Sequence, residues 1–147
     1  MNKDITIYNH QTYQEMKDCL PAGEWQEEYD FVEFIYKDYK CEILRNGFGA
    51  LCGYVYTPED HPLYEKIEMG DNRIDCHWGL TYASWYFGEK DGKIGFDCAH
   101  LDDLVPLRSR ENRDFLGGQF PETYRNIDYV IDQCCNIVDQ LKVKEHE

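Results

Sequence analysis

From Ile127 to Leu141 the residues Ile127, Val130, Ile131, Cys134, Ile137, Val138 and Leu141 recur at the 3.6-residue period of an α-helix. Such an apolar stripe demands a second layer to lie against. Pro121 suits a first helical position, Glu122 complements the positive helix end, and Lys142 and Lys144 stand near the negative end. The pattern predicts an amphipathic helix of about six turns opening at Pro121.

The receiving layer is read from residues 29–56. Tyr29 to Tyr36 is rich in β-formers, and Lys37-Asp38 turns it into Tyr39–Leu44, where Tyr39, Cys41 and Ile43 alternate inward. Asn46-Gly47 carries the signature of a type I′ turn, and Ala50–Tyr56 makes a third strand. Thr57–Pro62 is a loop fixed by two prolines, with a short helical turn following at 63–65. Asp75–Trp85 and Lys93–Cys98 read as further strands, the second after an Asp91-Gly92 turn. Tyr13, Met16 and Leu20 at helical spacing, stopped by Pro21-Ala22-Gly23, give a short helix over 12–20. The fold class is α+β: an antiparallel β-sheet meander packed against a long C-terminal amphipathic helix, with a short N-terminal helix. In 147 residues without repeats or a Pro/Gly-rich linker, one domain covers 1–147.

Charge limits the partners. With 15 Lys+Arg against 29 Asp+Glu, a net −14, the chain is repelled by duplex nucleic acid and by anionic membranes. No apolar run approaches ~18 residues, and the N-terminus lacks the apolar core of a signal peptide, so a cytoplasmic protein is expected. Seven cysteines, an odd number with no C-x-x-C pair, are expected to be reduced and mostly buried.

Three concentrations of chemistry stand out. The first is His61, His77 and His100 with Asp97 and Asp103. His77, His100 and Asp97 suit acid/base work, and the same set could carry a catalytic zinc. Cys98 beside a histidine is a candidate nucleophile. The spacing is generic and favours structural or ligand-orienting roles over metal ligation. No P-loop or other cofactor motif occurs, so no cofactor is expected. The second is Arg108, Arg110 and Arg113, half of the six arginines, with Arg125 at the start of the expected helix. Their forks match phosphate or carboxylate oxygens. The third is aromatic: Trp78, Thr81-Tyr82 and Trp85 follow His77, and aromatic faces stack on nucleobases.

The series Cys52-Gly53-Tyr54-Val55, His61-Pro62, His77-x-Gly79-Leu80-Thr81-Tyr82 and Gly95-Phe96-Asp97-Cys98-Ala99-His100, closed by Tyr124-Arg125, resembles a family of small uncharacterised bacteriophage proteins with a CGYV, HP, HGGLTY, GFDCAH pattern. The likeness covers roughly residues 39–141. This chain departs from it at Trp78, where the family pattern has Gly. The resemblance implies a phage context, in the cytoplasm of an infected bacterial host, and an anti-defence role.

The resulting expectation is a protein that sequesters a small anionic nucleotide-like immune signal. Its ligand-binding residues would be His61, His77, Trp78, Thr81, Tyr82, Asp97, His100, Asp103, Arg108, Arg110, Arg113 and Arg125. Two alternatives stand beside it. One is a small hydrolase, with or without metal, acting on a nucleotide-like substrate through His77, His100 and Asp97. The other is an acidic inhibitor of a host nucleic-acid-binding defence enzyme, motivated by the −14 charge. Against it, the carboxylates are spread: residues 1–38 carry 9 acidic against 3 basic side chains, and residues 121–147 carry 6 against 3. The helical stripe would serve a homo-oligomer as well as an intramolecular core.

Overall fold

A computed structural model describes residues 4–108 and 121–147. Six antiparallel strands form one sheet: β1 (Ile5–Gln11), β2 (Phe31–Tyr36), β3 (Tyr39–Arg45), β4 (Leu51–Tyr56), β5 (Tyr82–Ala83) and β6 (Lys93–Asp97), in the order β1-β2-β3-β4-β6-β5. A short helix α1 (Gln14–Cys19) follows β1, and the long helix α2 (Ile127–Val143) crosses β3 and β4. The fold is α+β, as the periodicities predict. No helix among the described residues is long and apolar enough to cross a membrane.

The α2 stripe is buried as its spacing requires. Val130, Ile131, Cys134, Cys135, Ile137, Val138 and Leu141 lie against Phe34, Cys41, Ile43, Val55 and Phe96 of the sheet. Burying the five aliphatic side chains among those seven contributes roughly 10 kcal/mol, against tenths per residue for intrinsic helix preference. Close approach is possible because residue 53 is glycine. A Cβ there would stand 2.5 Å from the Phe96 ring and 2.9 Å from Cys134 Sγ.

Four details differ from the sequence reading. The helix opens at Ile127 rather than Pro121, with the Asn126 side chain accepting from Tyr129 N at 2.9 Å. Residues 121–125 are not helical, and Thr123 forms an isolated parallel bridge with Asp103. Lys37 and Asp38 make a two-residue turn with φ of 49° and 68°, whereas Asn46-Gly47 is no such turn. Neither of the latter residues has positive φ; the Asn46 side chain accepts from Phe48 N and Ala50 N, and Gly49 turns the chain at φ 93°. Strand β1 has no strong sequence signal because it is an edge strand with two nearly exposed faces.

The fourth difference matters for function. Of residues 75–85, only Tyr82-Ala83 pairs as a strand. Trp78 and Gly79 adopt φ of 58° and 80°, which breaks extension. Segment 75–77 is tied to α2 instead. Gln140 exchanges hydrogen bonds with both backbone polar groups of Asp75, Asn136 donates to the Asp75 carbonyl, and Gln133 accepts from His77 N at 2.8 Å. Tyr129, Gln133, Asn136 and Gln140 therefore form a polar ridge beside the apolar stripe, spaced to share one helix face.

Candidate functional site

The ridge delivers His77 to a buried carboxylate. His77 Nε2 lies 2.9 Å from both oxygens of Asp103, and Nδ1 lies 2.7 Å from the Tyr129 hydroxyl. An ionised carboxylate only accepts, so His77 donates from Nε2 to Asp103, and Nδ1 pairs with the Tyr129 hydroxyl. Asp103 is fully buried and also accepts from His100 N and Arg125 Nε, each at 2.9 Å. Burial alone would raise its carboxyl pKa. The bonds from His77, the His100 amide and Arg125 outweigh burial and hold it below the ordinary carboxylate value.

Above this pair lies a stacked platform. The Trp78 indole lies flat on the His100 ring, centroids 4.8 Å apart and planes 5° from parallel. Trp78 Nε1 donates to Asp102 at 2.9 Å, and Asp102 is also 3.3 Å from Arg125. The indole is nevertheless 55% exposed. Position 78 has the left-handed backbone that glycine adopts without cost, at φ 58°. His100 Nε2 is buried without a hydrogen bond, although an Asp97 carboxylate oxygen stands 3.3 Å away. Asp97 is occupied with Ala99 N and Thr81 Oγ1.

The structure gathers His77, Trp78, Asp97, His100, Asp103 and Arg125, with Thr81 at the edge through Asp97 and Arg108 through its bond to the His100 carbonyl. Arg110 and Arg113 lie outside the described residues. His61 is elsewhere. It is buried, accepts from Leu63 N and bonds the Leu141 carbonyl at the far end of α2, about 18 Å along the helix from Tyr129. Tyr82 stacks on Phe87 and meets Tyr54 edge-on, while Trp85 stacks on Tyr86, so the expected Trp78/Tyr82/Trp85 cluster divides among separate partners. Cys98 is 2% exposed and burial pushes its thiol far up, which removes it as a nucleophile.

Sequence reasoning missed Tyr129, Gln133 and the role of Asp102. The available signal is the polar series Tyr129, Gln133, Asn136 and Gln140 at helical spacing flanking the apolar stripe.

Ligand atoms of His77, Asp102 and Asp103 lie within 4.8 Å of one another, the spacing of a metal cluster. The donor set fits an ion-pair network better. Arg125 bonds both carboxylates, Trp78 donates to one of them, and both His77 nitrogens are engaged. A cation would have to displace these donors.

Comparison of the chain with protein families, curated proteins and solved structures finds no match, so the functional reading rests on this geometry.

Proposed function

We propose that the chain binds and sequesters a small nucleotide-like ligand, of the kind used as an immune signal, by stacking its base on Trp78. One observation carries this reading: an exposed indole that is already held flat. Trp78 is 55% exposed, yet His100 backs one face and Asp102 fixes the N–H. A platform ordered before binding loses little freedom on binding. Stacking of one base on an aromatic ring contributes about 1–3 kcal/mol. Of the two described arginines nearby, Arg108 has the looser carboxylate contact among the described residues, 4.0 Å to Glu122 against 2.9 Å for Arg125 on Asp103, and is the better placed to meet a phosphate. An anti-defence setting is what the phage-like sequence pattern implies.

The test is calorimetry of the protein and of Trp78→Ala against cyclic and ADP-ribose-type nucleotides. Micromolar binding that weakens at least about tenfold in the variant is expected, with the ligand recovered unchanged after denaturation. Absence of micromolar binding, or equal binding by the variant, overturns the reading.

A second reading, a small hydrolase, is favoured by the series Asp103–His77–Tyr129, in which carboxylate, imidazole and hydroxyl follow one another as in an activated base. The carboxylate on His77 is then Asp103, not Asp97. Nucleotide consumed by the native protein but not by Tyr129→Phe supports it; nucleotide intact after long incubation removes it.

A further inference from the structure

We infer that the Trp78 platform selects a positively charged planar heteroaromatic ring, such as an N-alkylated base or a pyridinium, over its neutral counterpart. The inference rests on the stacking reading above and adds the charge of the ring that stacks.

Three observations lead there. The indole N–H donates to a carboxylate, Asp102, at 2.9 Å. A hydrogen bond in that direction pushes electron density into the ring and deepens the negative potential on its face, the potential that attracts cations. The rim is acidic and open: the Asp97 and Asp102 side chains are 33% and 43% exposed. Arg125 is turned toward Asp102 and Asp103 and lies over the Tyr129 ring rather than over the indole, and Arg108 donates to the His100 carbonyl behind the platform. On a chain of net charge −14, a ligand approaching Trp78 meets negative potential from the ring, its rim and the protein as a whole. A neutral base gains only stacking there, whereas a cationic ring gains stacking and charge together. A dinucleotide with one cationic ring satisfies both this face and a phosphate contact near Arg108.

The experiment uses two probes of nearly the same shape, 1-methylnicotinamide (cationic) and nicotinamide (neutral). Both are titrated while the Trp78 indole N–H is followed by NMR, that resonance being assigned by its loss in Trp78→Phe. The cation is expected to move the Trp78 resonance saturably and to bind at least about threefold tighter than nicotinamide, the scale of an exposed cation–π contact. The preference should shrink in Asp102→Asn, which keeps an acceptor for the indole N–H but removes the charge. Equal affinities, or tighter nicotinamide, overturn the charge preference and leave the stacking reading standing. If neither probe moves the resonance while nucleotides bind in calorimetry, the preference is also overturned and the ligand sits elsewhere. If nothing binds by either method, both readings fall.

Discussion

The imidazole of His77 and the carboxylate of Asp103, 26 residues apart, meet at 2.9 Å in a pair whose side chains are 5% and 0% exposed. Asp103 has its folded pKa lowered, so it contributes stability that is present above the unfolded carboxylate value, about 3.9, and is lost as pH falls through the folded value. Native stability should therefore decline below about pH 4. Asp103→Asn should lose part of that acid dependence. At neutral pH it should cost about 3–5 kcal/mol, because Arg125 loses its buried counter-charge. Urea unfolding at pH 7 and pH 3 measures both effects. An Asp103→Asn curve parallel to the native one across that range would contradict the assignment.

Trp78 offers a comparison between two small replacements. Both Trp78→Ala and Trp78→Gly lose the stack on His100 and the bond to Asp102. Only alanine keeps a Cβ in the left-handed conformation at φ 58°. Trp78→Gly should thus be the more stable of the two by about 1 kcal/mol, a difference visible by calorimetric melting. Both should lose ligand binding equally. That separates backbone conformation from the chemistry of the exposed ring.

How far the sequence reached follows from the same residues. The β2–β3 hairpin and α2 were legible because their apolar periods, two and 3.6, are set by burial on one face. The start of α2 was not. Tyr124 and Arg125 are pulled out of helical register by two separate polar clusters, and neither cluster is local in sequence. Segment 75–85 reads as a strand because its composition suits one, yet the backbone of Asp75 and His77 is held by glutamine and asparagine side chains of α2. His77, His100, Asp103 and Arg125 were found as residue types with chemistry. The pairing of His77 and of Arg125 with Asp103 depends on 26- and 22-residue separations that no spacing rule encodes.

The cysteines give a prediction in solution. Cys19 is exposed, whereas Cys41, Cys52, Cys98, Cys134 and Cys135 are buried and Cys76 is half-buried. Burial pushes the Cys52 thiol up to about 11 and that of Cys76 up to about 12, and raises Cys41, Cys98 and Cys134 as well. At pH 8 a thiol at 11 is ionised to only about one part in a thousand, and the thiolate is the reactive form. A disulfide reagent should label one site rapidly in the native protein, Cys19, and the other six only on unfolding. Peptide mapping identifies the site. Rapid labelling of Cys98 or Cys134 would mean that the face between sheet and helix opens readily.

The largest buried polar side chain among the described residues is one that no sequence motif marks. Arg45 is 1% exposed and every arm of its guanidinium is engaged: Nε with Asp30 at 2.6 Å, one terminal nitrogen with the Gly49 carbonyl and the Tyr124 hydroxyl, the other with Glu28 and the Tyr29 carbonyl. Lys17, 2% exposed, stands 3.4 Å from Asp30 and donates to the carbonyls of Trp25 and Glu28. Tyr124 donates to Glu28, whose other oxygen accepts from Ile127 N at the first turn of α2. Two cations and two carboxylates thus balance in a knot joining α1, β3 and the opening of α2. Arg45→Met should cost about 3–5 kcal/mol, because it strands buried carboxylates. Tyr124→Phe should cost about 1.5–3 kcal/mol, the scale of a hydrogen bond to a charged group. The double variant should cost clearly less than the sum, since both changes release the same Glu28. Urea unfolding of the three variants measures that coupling; strict additivity would mean that Tyr124 and Arg45 stabilise the fold independently.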